Sequence, residues 1–270
     1  MRVAIRDAIR ATVLGPLIRD VIIAPYRRTR LSAQAKQMAL TDNAVFVCPI
    51  CSYNGIFVDF NKKLKTTRRY EYCPKCGSLG RHRLQWRVLD IVLPTITGGN
   101  TSALHFAPEK YFVARLRGAF ESYKTSDLFR RDVDIHADLC NLPMSNNSFD
   151  FIYASHVLEH IPDDRQAMRE IYRVLKPGGV AILPVPMNNK KETIEYDRAV
   201  PEEDGHVRSP GIDYFDRYRA IFDSVDVFSS DYFSGEASDN QLTTWIMSED
   251  TPPVDRRLLD YVPVCRKRAA

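Results

Sequence analysis

The segment SFDFIYASHVLEHIPDDRQAMREIYRVLKPGGVAILPVPM, residues 148–187, decides the fold of this chain. Phe149–Ala154 is a mostly apolar run, long enough for a buried parallel strand. Asp163 and Asp164 place negative charge where a helix begins, and the Lys-Pro-Gly-Gly run 176–179 ends that helix. Val180–Val185 supplies the next strand, so the segment predicts one βαβ unit with a right-handed crossover.

The polar residues after the first of these strands indicate where chemistry takes place. Ligands of parallel sheets bind beyond the carboxyl ends of the strands. The polar side chains just past that strand are Ser155, His156, Glu159 and His160.

The N-terminal residues form a basic arm on an otherwise near-neutral chain. The whole chain has a net charge of only +4, whereas residues 1–36 contain eight Lys or Arg and two Asp. Apolar residues that recur every four positions predict an amphipathic helix over residues 2–24, ended by Pro25, and a second short helix over residues 31–40. The first helix has three open interpretations: packing on the body or on a second subunit, docking on a membrane surface, or a targeting presequence.

The sequence contains neither a cleavable signal pattern nor an apolar stretch near the ~20 residues of a membrane span. We therefore expect a cytoplasmic protein, with peripheral membrane contact through residues 2–24 as an alternative. In a reducing compartment the six cysteines are not expected to form a disulfide framework. The oligomeric state is not indicated.

Four cysteines have the spacing of a metal site. Cys48-Pro-Ile-Cys51 and Cys73-Pro-Lys-Cys76 are two Cys-x-x-Cys knuckles separated by 21 residues. Two knuckles provide the four-sulfur tetrahedron that zinc prefers, and because four thiolates leave no open position, the zinc is expected to be structural. Strand-like aromatic residues between the knuckles suit a zinc-ribbon hairpin. The basic run between residues 62 and 69 is either a solvated face or a nucleic-acid contact.

The second half of the chain alternates strands and helices. A helix over residues 80–93, with Leu84, Val88 and Ile91 inward and Arg81, Arg83 and Arg87 outward, leads into a Pro/Gly linker. Strands are predicted at residues 103–107, 123–126, 134–137, 149–154, 180–185, 224–228 and 242–247. Seven strands with interleaved helices make a doubly wound, Rossmann-like α/β domain. The predicted organisation is a helical arm (1–44), a zinc ribbon (45–80), a connecting helix and linker (81–101), the α/β domain (102–250) and a C-terminal tail (251–270).

The runs HVLEHIPDDRQAMREIYRVLKPGG and DLCNLPMSNNSFDFI resemble class I S-adenosylmethionine-dependent methyltransferases of the type 11 group. The zinc-ribbon pattern and the strand Leu-His-Phe-Ala-Pro-Glu resemble a bacterial subset of that family. The first loop departs from the family pattern, acidic-x-Gly-x-Gly-x-Gly. His105 occupies the acidic position, and Ala107, Glu109 and Tyr111 stand where the glycines would be.

The resemblance implies a pocket for S-adenosylmethionine at the strand ends. Glu109 would accept hydrogen bonds from the ammonium group of the cofactor, and Asp127 would accept them from the ribose hydroxyls. Asp138 would bind the adenine amino group and Leu139 would pack on the ring. The residues predicted to bind the cofactor are Ala107, Pro108, Glu109, Asp127, Leu128, Asp138, Leu139, Ser155 and His156.

Methyl transfer to oxygen or nitrogen can require a base. His156 is the first candidate and His206, in the insertion 188–210, is the second. The alternative interpretation of His156 is a wall of the pocket that only shapes the site. The insertion is expected to cover the acceptor pocket, and Glu159 and His160 are expected to act only through neighbouring groups.

Three functions remain open. The first is a methyltransferase for a small-molecule or glycan acceptor, and the second is an RNA methyltransferase whose zinc ribbon binds RNA. The third is a non-catalytic binding or scaffold protein.

Overall fold

A computed structural model describes residues 24–62, 66–96, 99–233, 244–247 and 257–270. The predicted helix over residues 2–24 therefore lies outside the described residues, except for Ala24. Within the described part, no helix is both long and apolar enough to cross a lipid bilayer. The chain forms two compact units, residues 1–87 with 229–260, and residues 88–228 with 261–270.

The first unit is built on a four-stranded antiparallel sheet and a small hairpin. Helix α1 covers Ala24–Met38, and its buried Leu31 and Ala35 pack against Ile56, just before the sheet, and Val58, in its first strand. Pro25 lies in the first turn of this described helix, where a missing N–H is tolerated. The strands are β1 (Phe46–Val47), β2 (Asn54–Gly55), β3 (Val58–Lys62), β4 (Thr66–Tyr72), β13 (Thr244–Met247) and β14 (Arg257–Leu258). Strands β1 and β2 form the hairpin, and the sheet has the order β14-β13-β4-β3.

The expectation that residues 242–247 form the last strand of the α/β domain is wrong. Strand β13 pairs with β4, with Trp245 opposite Arg69 and Ile246 opposite Arg68. An apolar run of this length satisfies its backbone equally well in either sheet, so its composition does not reveal which sheet it joins.

The second unit contains a seven-stranded, mostly parallel sheet flanked by helices. Helix α2 (Gly80–Val92) precedes it, close to the predicted bounds. The remaining helices are α3 (Lys110–Ala119), α4 (Asp164–Val174) and α5 (Tyr214–Arg219). The remaining strands are β5 (Ser102–Phe106), β6 (Ser122–Asp127), β7 (Ile135–His136), β8 (Phe149–Ala154), β9 (Leu175–Ile182), β10 (Ile194–Val200), β11 (His206–Ser209), β12 (Ser224–Ser229) and β15 (Tyr261–Arg266).

The order of the sheet places its switch point between β5 and β8. The order is β12-β15-β9-β8-β5-β6-β7. From β5 the chain progresses through β6 to β7 in one direction, and from β8 it progresses to β9 in the other. In such sheets the crevice at the reversal is the usual ligand site. Strands β5, β6, β7, β8 and β9 are parallel, and β15 runs antiparallel to β9.

Residues 251–270 were expected to be a tail, but the structure places β15 inside the sheet. This strand lies between β9 and β12, with Val264 opposite Ile182 and Cys265 opposite Ala181. Val262, Val264 and Cys265 are buried. The apolar run of β15 is short and interrupted by Pro263, so its composition alone does not indicate a strand inside a sheet.

The organising segment folds much as its sequence predicts. Asp163 is the N-cap of α4 and its Oδ1 accepts a hydrogen bond from the Gln166 N–H at 2.9 Å. The apolar face of α4 is buried in the core of the sheet through Met168 and Ile171. Gly178 has φ +80°, which tolerates no ordinary side chain without strain. The turn forms a bulge within β9, because Phe149 pairs with Leu175 whereas Phe151 pairs with Val180.

Candidate functional site

Strand register aligns three loops at the switch point. Phe106 pairs with Ser126 on one side and with Ala154 on the other. The next residues in each chain segment are Ala107, Asp127 and Ser155, so these predicted cofactor-binding residues emerge at one level of the sheet edge. This alignment follows from the parallel pairing, in which all three strands end on the same side.

The first loop keeps the backbone of a glycine turn without the glycine. Ala107 has φ +46°, in the left-handed region that costs an L-residue roughly 1–2 kcal/mol. Its N–H donates to the Ser126 carbonyl at 2.9 Å. Pro108 accepts a hydrogen bond from Arg130 Nη1 at 2.7 Å, so the loops after β5 and β6 are tied together. Such strain is retained where the surrounding structure requires it, often beside a ligand.

His105, at the position where the family has an acid, is fully buried. Its Nδ1 lies 2.8 Å from the Tyr123 hydroxyl, and its ring meets Tyr153 edge-on with centroids 5.0 Å apart. Burial lowers the pKa of His105 to about 3, so the imidazole is neutral at physiological pH. An uncharged aromatic side chain therefore packs under the first loop in place of a carboxylate.

Two of the carboxylates predicted to bind the cofactor, Asp127 and Asp138, accept hydrogen bonds from backbone N–H groups of their own loops. Asp127 Oδ1 accepts hydrogen bonds from the Phe129 and Arg130 N–H groups at 2.8 and 3.0 Å. Asp138 Oδ1 accepts from the Cys140 N–H at 2.9 Å. Glu109 is the N-cap of α3 rather than a residue of its first turn, and makes no side-chain cap bond. Leu128 is half exposed, and Leu139 is buried in the core of the sheet.

Ser126 provides a buried polar atom at this same edge. Its hydroxyl oxygen is buried and has no hydrogen-bond partner among the residues that the structure describes. A buried hydroxyl without a partner costs free energy unless a water or a ligand satisfies it.

Three of the six histidines of the chain gather around one buried carboxylate. Residues Leu158–His160 form a 3-10 helix just past β8, which presents Glu159 with its side chain 0% exposed. Glu159 Oε1 lies 3.3 Å from His156 Nδ1, 3.9 Å from His160 Nε2 and 3.9 Å from His206 Nε2. We call Glu159, His156, His160 and His206 the Glu–His cluster.

The histidines of the Glu–His cluster are partly exposed to solvent, whereas the Glu159 side chain is not. The side chains of His160 and His206 are 39% and 18% exposed. Burial raises the pKa of Glu159, but His156 and His160 lower it by more, so the net shift is downward and the carboxyl is ionised at neutral pH. Burial lowers the pKa of His206. The two predicted bases, His156 and His206, thus both lie within 4 Å of Glu159 Oε1.

Arg208 joins the two chain segments that carry this cluster. Its guanidinium, on β11 two residues after His206, is 3% exposed. It donates to the carbonyls of Leu158, Ile161 and Pro162 at 2.9, 2.6 and 2.8 Å. The 3-10 helix with Glu159 and His160 is thereby fixed against the strand with His206. Residue patterning does not predict this contact, because the carbonyls that Arg208 binds belong to residues about 50 positions earlier in the chain.

The four cysteines of the two knuckles converge, as the spacing predicted. Their sulfurs all lie within 4.8 Å of one another, with Cys48 3.8 Å from Cys76 and Cys51 3.6 Å from Cys73. The two turns share one backbone pattern. The first cysteine donates to the carbonyl five residues on, and accepts from the N–H four residues on, Ser52 in one turn and Gly77 in the other. Both of those residues have positive φ, 56° and 76°.

The outward orientation predicted for Arg83 is wrong. Arg83 is 1% exposed, stacks on Phe57 with its guanidinium carbon 4.5 Å from the ring centroid, and donates to three carbonyls. These are Glu71 and Ser78 at 2.9 and 3.0 Å and Tyr70 at 3.3 Å. Helical periodicity cannot show that an arginine is buried when its partners are backbone carbonyls of another chain segment. Ile91, predicted inward, is 37% exposed.

Comparison with known proteins addresses the second unit. Residues 97–183 match the family model described as "Methyltransferase domain". The match covers strands β5 to β9 of the seven-stranded α/β sheet. The match includes the loops after β5, β6 and β8, and ends at the residue after β9.

Among curated proteins, the chain is 38% identical over 81 residues to a demethylmenaquinone methyltransferase from Listeria welshimeri. A protein of the same name from Staphylococcus epidermidis is 44% identical over 48 residues. These alignments cover 30% and 18% of this chain, and 32% and 20% of the relatives. The chain thus spans at most about a third of the length of these curated relatives.

Among solved structures, the chain is similar to an S-adenosylmethionine-dependent methyltransferase from Mesorhizobium loti and to another from Archaeoglobus fulgidus. The first has a TM-score of 0.47 at 15% identity and covers 68% of this chain and 98% of the other. The second has a TM-score of 0.46 at 12% identity and covers 69% and 94%.

Proposed function

We propose that this protein is an S-adenosylmethionine-dependent methyltransferase that acts on a small-molecule or glycan acceptor. The observation that carries the proposal is the register that brings Ala107, Asp127 and Ser155 to one level of the sheet edge, within the segment that matches the methyltransferase family. A cytoplasmic location belongs to the same proposal.

The residues at this edge fit the cofactor. The glycine-like turn at Ala107 brings backbone close to the crevice, and the buried Ser126 hydroxyl can be satisfied by a polar group placed there. Asp127 has one oxygen engaged by its own loop, and its second oxygen is the one that would accept from ribose hydroxyls. Asp138 would take the adenine amino group, and Glu109 the ammonium group.

Bound S-adenosylmethionine supplies an electrophilic methyl group on a sulfonium sulfur. The chain would hold donor and acceptor in line at the switch point and exclude water from the transfer. The hairpin β10–β11, which lies in the predicted covering insertion, carries His206 beside the segment after β8. This placement supports the Glu–His cluster as the acceptor side of the site. A base role for His156 or His206 stays a prediction.

We also infer that the four cysteines hold a structural zinc ion. A tetrahedral ion with sulfurs at about 2.3 Å separates those sulfurs by about 3.8 Å, close to the 3.8 and 3.6 Å between the cysteine pairs. All four positions of the tetrahedron are filled by protein, so the ion would stabilise the hairpin and sheet rather than bind a substrate.

Titration calorimetry with S-adenosylmethionine tests the proposed function. We expect saturable binding by the wild type and by Asp216→Ala, a control at an exposed acid on α5. Asp127→Asn retains an oxygen for the loop N–H groups but loses one acceptor, so we expect binding weakened roughly 10- to 100-fold, as for a lost charged hydrogen bond. Binding heat absent from the wild type would overturn the proposal, and normal affinity in Asp127→Asn would show that the pocket lies elsewhere.

A further inference from the structure

We propose that Glu159, His160 and His206 bind a divalent transition-metal ion, a second metal site distinct from the four cysteines. The proposal stands on a buried carboxylate with two imidazoles beside it, a ligand set that suits such ions. With respect to the acceptor it rests on the proposed function, because the metal would hold an oxygen of the molecule to be methylated.

The first observation is the state of Glu159. Its side chain is fully buried, and neither carboxylate oxygen has a hydrogen-bond partner within the described part of the chain. Buried carboxylates are normally paired, hydrogen-bonded or bound to a metal. The nearest group, His156 Nδ1 at 3.3 Å, supports the carboxylate from one side. The same oxygen, Oε1, lies 3.9 Å from both His160 Nε2 and His206 Nε2.

The second observation is the distance between the ligand atoms. Two ligands that each lie about 2.1 Å from one ion can be at most about 4.2 Å apart. Glu159 Oε1 is 3.9 Å from both His160 Nε2 and His206 Nε2. The three ligand atoms lie within 4.8 Å of one another, so small side-chain rotations bring all of them to an ion.

The third observation is that the site is braced from outside. Arg208 fixes the 3-10 helix against β11 through three backbone carbonyls, so the two halves of the ligand set are held together before an ion arrives. Its charge is balanced by Asp164 at 3.5 Å and Glu195 at 3.0 Å. Arg208 is thus a positioning residue, and supporting contacts of this kind tune metal affinity.

The exposure of the site determines what the metal can do. Glu159 forms the buried floor, whereas His160 and His206 are part exposed at the rim. Two imidazoles and one carboxylate on one side leave positions open to water or to an oxygen ligand. A hydroxyl-bearing acceptor is the chemistry that such positions select, since a metal-bound hydroxyl is more acidic than a free one.

Mn²⁺ is the first probe because it prefers oxygen and nitrogen ligands to thiolates. It should therefore bind the Glu–His cluster and not the four cysteines. Untagged full-length protein, loaded with one equivalent of zinc for the four cysteines and dialysed free of excess zinc, is titrated with Mn²⁺ under electron paramagnetic resonance detection. We expect one bound Mn²⁺ in the wild type and in His136→Ala, which removes an exposed histidine outside the cluster. Glu159→Gln and His206→Ala are expected to weaken binding at least tenfold, and circular dichroism verifies that both variants are folded.

Ni²⁺, which binds imidazole sites more tightly, is the second probe, measured by calorimetry. The proposal is overturned if neither ion binds the wild type, or if both bind Glu159→Gln and His206→Ala as tightly as His136→Ala. Bound Mn²⁺ should also enhance the relaxation of water protons, because open positions exchange water. No enhancement would contradict the open positions.

Cofactor binding separates this proposal from the proposed function. Asp127→Asn is expected to lose affinity for S-adenosylmethionine and keep Mn²⁺, whereas Glu159→Gln should lose Mn²⁺ and keep the cofactor. A wild type that binds Mn²⁺ but no cofactor would support the metal site and refute the methyltransferase proposal. The reverse result would refute the metal site alone.

Discussion

The cysteine cluster and the Glu–His cluster both gather ligand atoms from distant chain segments, but they differ in how accessible those atoms are. Each brings ligand atoms from two chain segments within 4.8 Å, and each has a buried arginine that donates to three backbone carbonyls nearby. The cysteines lie on two turns of identical backbone pattern and would fill the coordination shell of a zinc ion. The Glu–His cluster has a buried floor and an accessible rim. The cysteine cluster would be a closed metal site that stabilises the fold, whereas the Glu–His cluster would leave metal positions open for a ligand.

The largest difference is expected when one ligand is removed from each cluster. Cys73→Ser should abolish zinc binding and unfold the sheet of the first unit, because structural zinc contributes on the order of 10 kcal/mol to such folds. Metal analysis and circular dichroism measure this. Cys140→Ser, a cysteine outside the cluster, is the control. Glu159→Gln should leave the fold intact, and if it unfolded the chain as fully as Cys73→Ser, the contrast between closed and open sites would fail.

Truncation of Arg208 tests the brace of the open site. Arg208→Met leaves three carbonyls without their donor and should lower the free energy of unfolding by about 3–5 kcal/mol, the usual cost of breaking a buried charged pair. Urea unfolding measures the loss. Mn²⁺ affinity should fall with it, and a partial recovery of both in Arg208→Lys would follow from the retained charge. Mn²⁺ affinity that is unchanged in folded Arg208→Met would remove Arg208 from the metal site.

Truncation of Arg83 tests the brace of the closed site. Arg83→Met removes donors to Tyr70, Glu71 and Ser78, and we expect a loss of about 2–3 kcal/mol. Its effect should be smaller than that of Arg208→Met, because a methionine partly retains the packing of the arginine side chain on Phe57. Zinc content should stay at one equivalent. Loss of zinc in this variant would show that the arginine, and not the thiolates alone, determines metal binding.

The smallest effect is expected within the cysteine cluster itself. Ser52 and Gly77 occupy equivalent positions with positive φ, but only one of them is glycine. Ser52→Gly should relieve strain and change stability by no more than about 1 kcal/mol in the favourable direction, whereas Gly77→Ala should cost about 1 kcal/mol. Melting temperatures of the two variants give the comparison. Equal effects of the same sign would argue against equivalent turns.

Local patterns in the sequence predicted the features that depend on near neighbours. The strand, helix and turn of residues 148–187 follow from apolar periodicity, the cap at Asp163 and the Gly178 turn. The convergence of the four cysteines follows from two repeats of Cys-x-x-Cys. The position of Glu159 and His160 just past a strand marks them as candidates, but it does not predict their proximity to His206. That proximity depends on a hairpin that returns 46 residues later, and on Arg208, which binds three backbone carbonyls of the earlier segment.

The remaining errors share a physical cause. Strand β13 and strand β15 are short apolar runs whose composition is compatible with either sheet. Which sheet each one joins depends on where the chain enters and leaves the two units, and not on the residues of the strand. The charge of Arg83 favours exposure, but its side chain is buried because it donates to the carbonyls of Tyr70 and Glu71 on β4 and of Ser78 after the second cysteine turn.

The position of β15 has a consequence for how the chain is made. The second unit is interrupted after Phe228, and residues 229–260 belong to the first unit before β15 returns to lie between β9 and β12. A ribosome releases the chain in order. Strand β9 therefore waits as an unpaired edge until residues 261–266 have emerged. Exposed edges of this kind recruit other chains, so nascent protein that stalls before Tyr261 should be the form most in need of a chaperone.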